Sequence, residues 1–257
     1  MRLLVTTSKS LLTLDTRTGE INTIHTGMGL YYGIAASATN IYVAARNNTN
    51  PFEYLGKPDE QGLILVFNPK LELIRQITAP FALRDMHQIM CFDDKLWVTC
   101  SQDNMVAIYD GEAWSKWYPS PNEAHRGEDT NHFNSLWVQN NQMHILAHNL
   151  GREPSAIYRY NYPSLALIDI KAIGHQAHNI WVCDDPNEHY VCDSANGAVI
   201  STKGRHINIG GFPRGVVISG NAYYIGTSDV AERKCRATVS SKVKTFNTAW
   251  ECENTID

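Results

Sequence analysis

The chain has 257 residues, of which 43% are apolar and 19% charged, and a formal net charge of −4. That apolar share excludes a disordered chain, and the slight negative balance excludes the concentrated basic face of a nucleic-acid-binding protein. No apolar run approaches the ~18 residues a membrane-spanning helix needs, so no membrane partner is expected. The length admits one or two domains. Met1–Thr7 carries one basic residue and a very short apolar run, which reads as a strand rather than a secretory signal. A cytoplasmic location follows as an expectation. Six cysteines are too few for a disulfide scaffold of this size, and no C-x-x-C occurs. Cys91 and Cys100, like Cys183 and Cys192, fall in adjacent apolar segments and read as buried thiols.

Long helical periodicity is absent. Short apolar, β-branched and aromatic runs are cut by Asn, Asp, Gly and Pro, the pattern of an all-β chain. In chain order, Leu3–Ser8 reads as a strand that echoes Leu96–Ser101. Leu11 to Ile24 is a hairpin around Asp15–Gly19. Gly33–Ala36 and Ile41–Val43 form a hairpin of a second kind, with an aromatic centre in its second strand. A polar insert, Arg46 to Gly62, contains Pro51–Gly56 and reads as a rim loop or a tolerated surface insertion. The two hairpin kinds then alternate: Leu63 to Ile77, Gln88 to Val98, Val106 to Trp117, Ser135 to Ile145, and Ile157 to Ile170. Asn179 to Val191, Val199 to Ile209 and Gly215 to Ile225 continue the alternation. Residues 229–257 show no clear register. The anchors Ile34, Ile89, Leu136, Ile180 and Val216 are spaced by 55, 47, 44 and 36 residues, an internal repeat.

Five hairpins of each kind make five four-stranded units, with strands A and B from one hairpin and C and D from the other. This alternation resembles the β-propeller superfamily over about residues 10–228, an architectural likeness without the Gly-His…Trp-Asp pair or the double glycine of particular propeller families. The resemblance implies an all-β, five-bladed β-propeller forming a single domain over residues 1–257. Its ring would be closed by pairing the N-terminal C–D hairpin with the last A–B hairpin. A six-bladed ring that uses Arg2–Ser8 and residues 229–257 is the alternative.

In such a blade, the D-to-A and B-to-C connections share one face, where function is usually carried. Six of the ten histidines fall there: His87, His125, His132, His148, His175 and His178. The positions just before strand A align as Tyr32, His87, Asn134, His178 and Arg214, and His132 lies two residues before Asn134. His87, His132 and His178 are therefore the candidate ligands of a divalent metal, Zn²⁺, Mn²⁺ or Fe²⁺, since three imidazoles with open positions suit such ions. Asp85, Gln176 or Glu128 would orient their ring N–H groups. The same histidines would equally serve to hydrogen-bond neighbouring loops. Arg84, Arg214, Asn134 and Arg46 are the candidates to hold a substrate; an ion pair with Asp85 or another acid is the alternative for Arg84 and Arg214. Tyr32, His175 and Glu128 are the candidates for acid–base chemistry.

Other motifs are missing. There is no Gly-x-Ser-x-Gly elbow or phosphate loop, and Gly27–Gly33 fails the dinucleotide spacing. Asp85 is nearly alone among the aligned positions, which disfavours a two-carboxylate glycosidase. Asn47-Asn48-Thr49 is formally a glycosylation sequon. The expected function is a metal-dependent enzyme, of lyase or hydrolase type, acting on a small polar or anionic molecule. The alternatives are a non-catalytic propeller that binds carbohydrate or protein, and a structural propeller with a satisfied polar channel.

Overall fold

Apolar runs too short for helices become strands throughout, and the run Leu63–Phe67 is buried along its whole length. The computed structural model describes residues 1–47, 59–183, 185–232, 235 and 238–257. Its contacts divide into two compact units, Met1–His132 and Phe133–Asp257.

The first unit contains three antiparallel sheets. Strands β1 (Arg2–Thr6), β2 (Ser10–Asp15) and β3 (Ile21–Thr26) form the first. The second comprises β4 (Tyr31–Ala36), β5 (Ile41–Ala45), β6 (Leu63–Phe67) and β7 (Leu73–Ile77), in that order. The third comprises β8 (Met86–Phe92), β9 (Lys95–Cys100), β10 (Met105–Tyr109) and β11 (Trp114–Trp117). The second unit repeats the plan. Its sheets are β12 (Phe133–Gln139), β13 (Gln142–Ala147), β14 (Ala156–Asn161) and β15 (Leu167–Ala172); β16 (His178–Val182), β17 (His189–Asp193), β18 (Ala198–Ser201) and β19 (His206–Asn208); and β20 (Phe212–Ser219), β21 (Ala222–Ser228), β22 (Ser241–Asn247) and β23 (Cys252–Ile256).

Each sheet is a blade, and the chain is a six-bladed β-propeller. The four hairpin pairs between Gly33 and Ile209 fall together as the sequence predicts. The five-blade count does not hold, and its error lies at the chain ends. Leu11–Ile24 pairs with β1, not with the last A–B hairpin, and β20–β21 find their partners in β22 and β23. Among the described residues no sheet joins the two ends of the chain. Residues 241–256 are polar alternations such as Lys242-Val243-Lys244-Thr245-Phe246, too weak to read as strands until β21 offers them an edge. The Pro51–Gly56 insert and most of the sequon lie outside the described residues.

Apolar contact runs between adjacent sheets rather than within one. Leu11 of β2 packs with Tyr31, Val43 and Leu65 of the next blade. Ile64 and Val66 pack with Ile89, Val98 and Ala107 of the third. In the second unit Leu146 and Ile157 meet Ile180 and Val191, while Tyr190 and Val199 meet Tyr223, Ile225 and Phe246. The middle strands are covered on both faces, and the fourth strands β7 and β15 stay largely exposed. Burying side chains on both faces yields ~25 cal/mol per Å² of apolar surface, which explains why the middle strands lack strict polar alternation. Inner strands come very close: a Cβ on Gly33 of β4 would stand 2.4 Å from the backbone nitrogen of Ile89 on β8.

One backbone device repeats where the site is built. Leu30, Asp85, His132 and Gln176, each one or two residues before an inner strand settles into its ladder, adopt φ of 58°, 51°, 52° and 48°. Left-handed backbone is uncommon for residues other than Gly. A register shift follows in each of these strands, between Tyr31 and Ile34, Met86 and Ile89, Phe133 and Ser135, and His178 and Ile180. Such bulges bend the strand and re-aim side chains.

Candidate functional site

The bulged start of each inner strand sits beside the end of the second strand of its blade. Cross-strand partners Tyr31↔Ala45 and Met86↔Cys100 put Tyr32 near Arg46 and His87 near Ser101. The same register puts Asn134 near His148, and His178↔Cys192 puts His178 near Ser194.

In the first unit this produces a buried charged cluster. Arg46 is fully buried. Its Nε donates to Glu60 Oε1 at 2.8 Å, Nη2 to Glu60 Oε2 at 2.6 Å, and Nη1 to Asp85 Oδ1 at 2.6 Å. The backbone N–H of Asp85 donates to Glu60 Oε1 at 2.8 Å. Burial opposes the charge on Arg46, but Asp85 and Glu60 more than offset it and hold the guanidinium protonated.

His87 and His132 stand against this cluster, with ring centroids 4.8 Å apart and planes at 81°. His87 Nδ1 lies 3.0 Å from the Asp85 carbonyl and 3.1 Å from Ser101 Oγ. The carbonyl can only accept, so this nitrogen carries the proton and Nε2 carries the lone pair. His132 Nδ1 lies 2.8 Å from Asp129 Oδ1 and 4.0 Å from Asp85 Oδ2. The Tyr32 ring is 5.0 Å from His87, and the Arg46 guanidinium is 6.0 Å from the Tyr32 ring centre. Burial pushes the His87 imidazole down to about 4; Asp85 opposes the shift, and His132 and Arg46 add to it. His87 is therefore neutral at pH 7. One donor atom each from Asp85, His87 and His132 lies within 4.8 Å of the other two. This group can hold a metal ion.

The expected set of His87, His132 and His178 thus divides. Two members lie in this cluster, with Asp85 among the donors rather than behind them. His178 belongs to the second unit and is anchored like His87: its Nδ1 is 2.9 Å from Ser194 Oγ, which itself donates to the Pro213 carbonyl at 2.5 Å. The His148 and Phe212 rings flank it at 5.1 and 5.7 Å.

The remaining expected residues take several places. Arg46 is buried, with its donors turned to the carboxylates of Glu60 and Asp85. Arg84 makes a two-point pair with Asp103, the ion-pair alternative. Asn134 is buried and donates to the Ala177 carbonyl at 2.8 Å, tying two blades together. Arg214 lies 4.7 Å from the Phe212 ring centre and lines a cleft of about 110 Å³ with Gln176, Ser228 and Asp229. His175 is exposed and its backbone N–H donates to Asp193 at 2.7 Å. Glu128 is exposed, and its neighbour Asp129 takes the orienting role. Tyr31 is core, its hydroxyl 2.8 Å from His25 Nδ1. Sequence reasoning gave no role to Glu60, Asp129 or Ser101. Glu60 sits at the end of an insert with no strand pattern, and nothing in its surroundings marks it.

No protein-family model matches the sequence, and no curated protein matches it. Solved structures do. Virginiamycin B lyase from Staphylococcus aureus is similar at 13% identity and TM-score 0.57, over 87% of this chain and 68% of that one. A chain of a nidogen/laminin complex is similar at 12% identity and TM-score 0.68, over 99% and 92%. Hydrazine synthase of Kuenenia stuttgartiensis is similar at 13% identity and TM-score 0.58, over 93% and 71%. At such identities the likeness shows the fold alone, a β-propeller.

Proposed function

We propose that the chain is a metal-dependent enzyme of lyase or hydrolase type, with a divalent ion held by Asp85, His87 and His132 and a small polar or anionic substrate. The observation that carries this reading is the donor cluster itself, three ligand atoms within 4.8 Å of one another in a buried setting. Charge balance supports it. Two buried carboxylates, Glu60 and Asp85, share one guanidinium, Arg46, which leaves a net negative charge that a divalent ion would offset. Imidazole and carboxylate donors suit Zn²⁺, Mn²⁺ or Fe²⁺.

The residues have separable roles. Arg46 grips Asp85 Oδ1 at 2.6 Å and fixes the carboxylate in rotation. Asp129 holds His132, and Ser101 with the Asp85 carbonyl holds His87; such partners orient ligands and tune them. Tyr32, whose ring stands 5.0 Å from that of His87, would supply a hydroxyl for proton exchange with a substrate. A bound ion would polarise a substrate oxygen or make water acidic.

A second reading, a binding propeller without catalysis, is favoured by one observation: Arg46 already neutralises Asp85. The names of similar structures include both a lyase and a nidogen/laminin complex, so fold does not choose between them. Elemental analysis of the purified protein, with His87→Ala and His132→Ala variants, decides. Stoichiometric metal in the native chain and its loss in both variants support the enzyme reading. Saturating Zn²⁺, Mn²⁺ or Fe²⁺ at ~100 times Kd should stabilise the native chain by ~2.7 kcal/mol, or ~5–10 °C in Tm. No bound metal and no shift with any of the three ions would sink it.

A further inference from the structure

Between the fourth and fifth sheets, β13 and β17 bring His144 and His189 together, with ring centroids 4.3 Å apart and planes tilted by 42°. The two residues are 3% and 8% exposed. Both ring nitrogens of His144, and Nε2 of His189, make no hydrogen bond of normal geometry. Arg159 lies opposite His144 on β14. Asp169 and Lys171 face the pair from β15, and Asp169 is paired with Arg159. The strands β12 and β16 contribute Trp137 and Val182, which carry no charge. Among the described residues no third donor completes a metal set here, and the cations Arg159 and Lys171 disfavour a metal ion as they disfavour a proton.

We propose that His144 and His189 form an acid-sensitive latch between the fourth and fifth blades: the neutral imidazoles close the seam, and proton uptake on acidification opens it. An imidazolium in this position would lose its hydration, face its partner ring at 4.3 Å and stand beside Arg159. Burial pushes His144 down to about 4 and His189 adds to the shift, while the Trp137 backbone and Asp169 oppose it. Burial likewise lowers His189, with Arg159 and Lys171 adding.

Once exposed by opening, both rings titrate near ~6.5. Between that value and about 4 the open form binds more protons than the closed one. Opening is therefore favoured as pH falls through this window, and is unaffected above it. If both rings are released, the opening equilibrium rises by up to ~100-fold per pH unit.

Hydrogen–deuterium exchange on the full chain from pH 7 to pH 4.5, corrected for intrinsic rates, tests this. The seam amides of β13 and β17 should lose protection by approaching ~100-fold per pH unit below pH ~6. In His144→Leu and His189→Leu that slope should fall to roughly ten-fold or less. Identical slopes in the native chain and both variants would overturn the proposal, as would seam protection that ignores pH. His87 also resists protonation, so the difference at β13 and β17 is the quantity read. Should a variant not fold, NMR of the native histidines reports directly: two seam imidazoles that stay neutral while the seam opens would overturn it equally.

Discussion

Arg46→Met removes the guanidinium that is hydrogen-bonded to Glu60 and Asp85. Methionine keeps most of the volume, so the change isolates charge. In the native chain the guanidinium makes three hydrogen bonds to the two carboxylates, at 2.6, 2.6 and 2.8 Å. Both carboxylate side chains are 3% exposed, so water cannot replace it without local opening. Breaking a buried ion pair from one side costs about 3–5 kcal/mol, because it strands the partner's charge. At roughly 2–4 °C per kcal/mol for a chain of this size, Tm should fall by ~6–20 °C. Thermal denaturation followed by circular dichroism at pH 7 measures it. Adding Glu60→Gln to Arg46→Met relieves one stranded charge, so the double variant should be less destabilised than the sum of the two single variants by at least ~1 kcal/mol. A Tm drop below ~2 °C for Arg46→Met, or strict additivity in the double variant, would refute the electrostatic reasoning.

Other expectations follow from the same packing and chemistry. Asp129→Asn should keep the fold and weaken metal binding by about 10–100-fold through loss of His132 orientation, read by calorimetric titration with Zn²⁺; unchanged affinity would remove Asp129 from the site. Gly33→Ala should destabilise by ~1–3 kcal/mol as an overpacked contact, since the new methyl would meet the Ile89 and Gln88 backbone; an unchanged denaturation midpoint would contradict the close approach of β4 and β8. Alkylation in native buffer should mark Cys235 and Cys252, which are exposed, and spare Cys100 and Cys192, which are buried with thiols pushed up by desolvation. Rapid labelling of Cys100 in the folded chain would count against the inner packing of β9.

Much of the site was readable where side-chain type and strand periodicity coincide. His87 and His178 occupy the start of inner strands because the apolar pattern after them defines those strands. His132 was placed with His87 because two residues of extended chain separate it from Asn134. The geometry that makes it a neighbour of Asp85 was not readable, since it depends on left-handed backbone at Asp85 and His132, residues whose side chains do not demand it. Arg46 shows the limit from the other side. Its charge suggested an exposed anion-binding group, yet Glu60, fourteen positions along near the far end of the insert, pairs with it in the interior.

What the sequence determines by itself is the repeated unit. Alternating hairpins, turn chemistry and apolar runs are local properties, and they suffice to mark the blades from Gly33 to Ile209. Only the tertiary structure decided the blade count and the partners of the charged residues. Strand pairing at the chain ends depends on which edge is offered to a weakly apolar segment, as β21 offers one to β22. Charge pairing in the interior depends on distances between residues far apart in the chain. Electrostatic and hydrogen-bond energies rise and fall over a few ångströms, and no local pattern of residues encodes such distances.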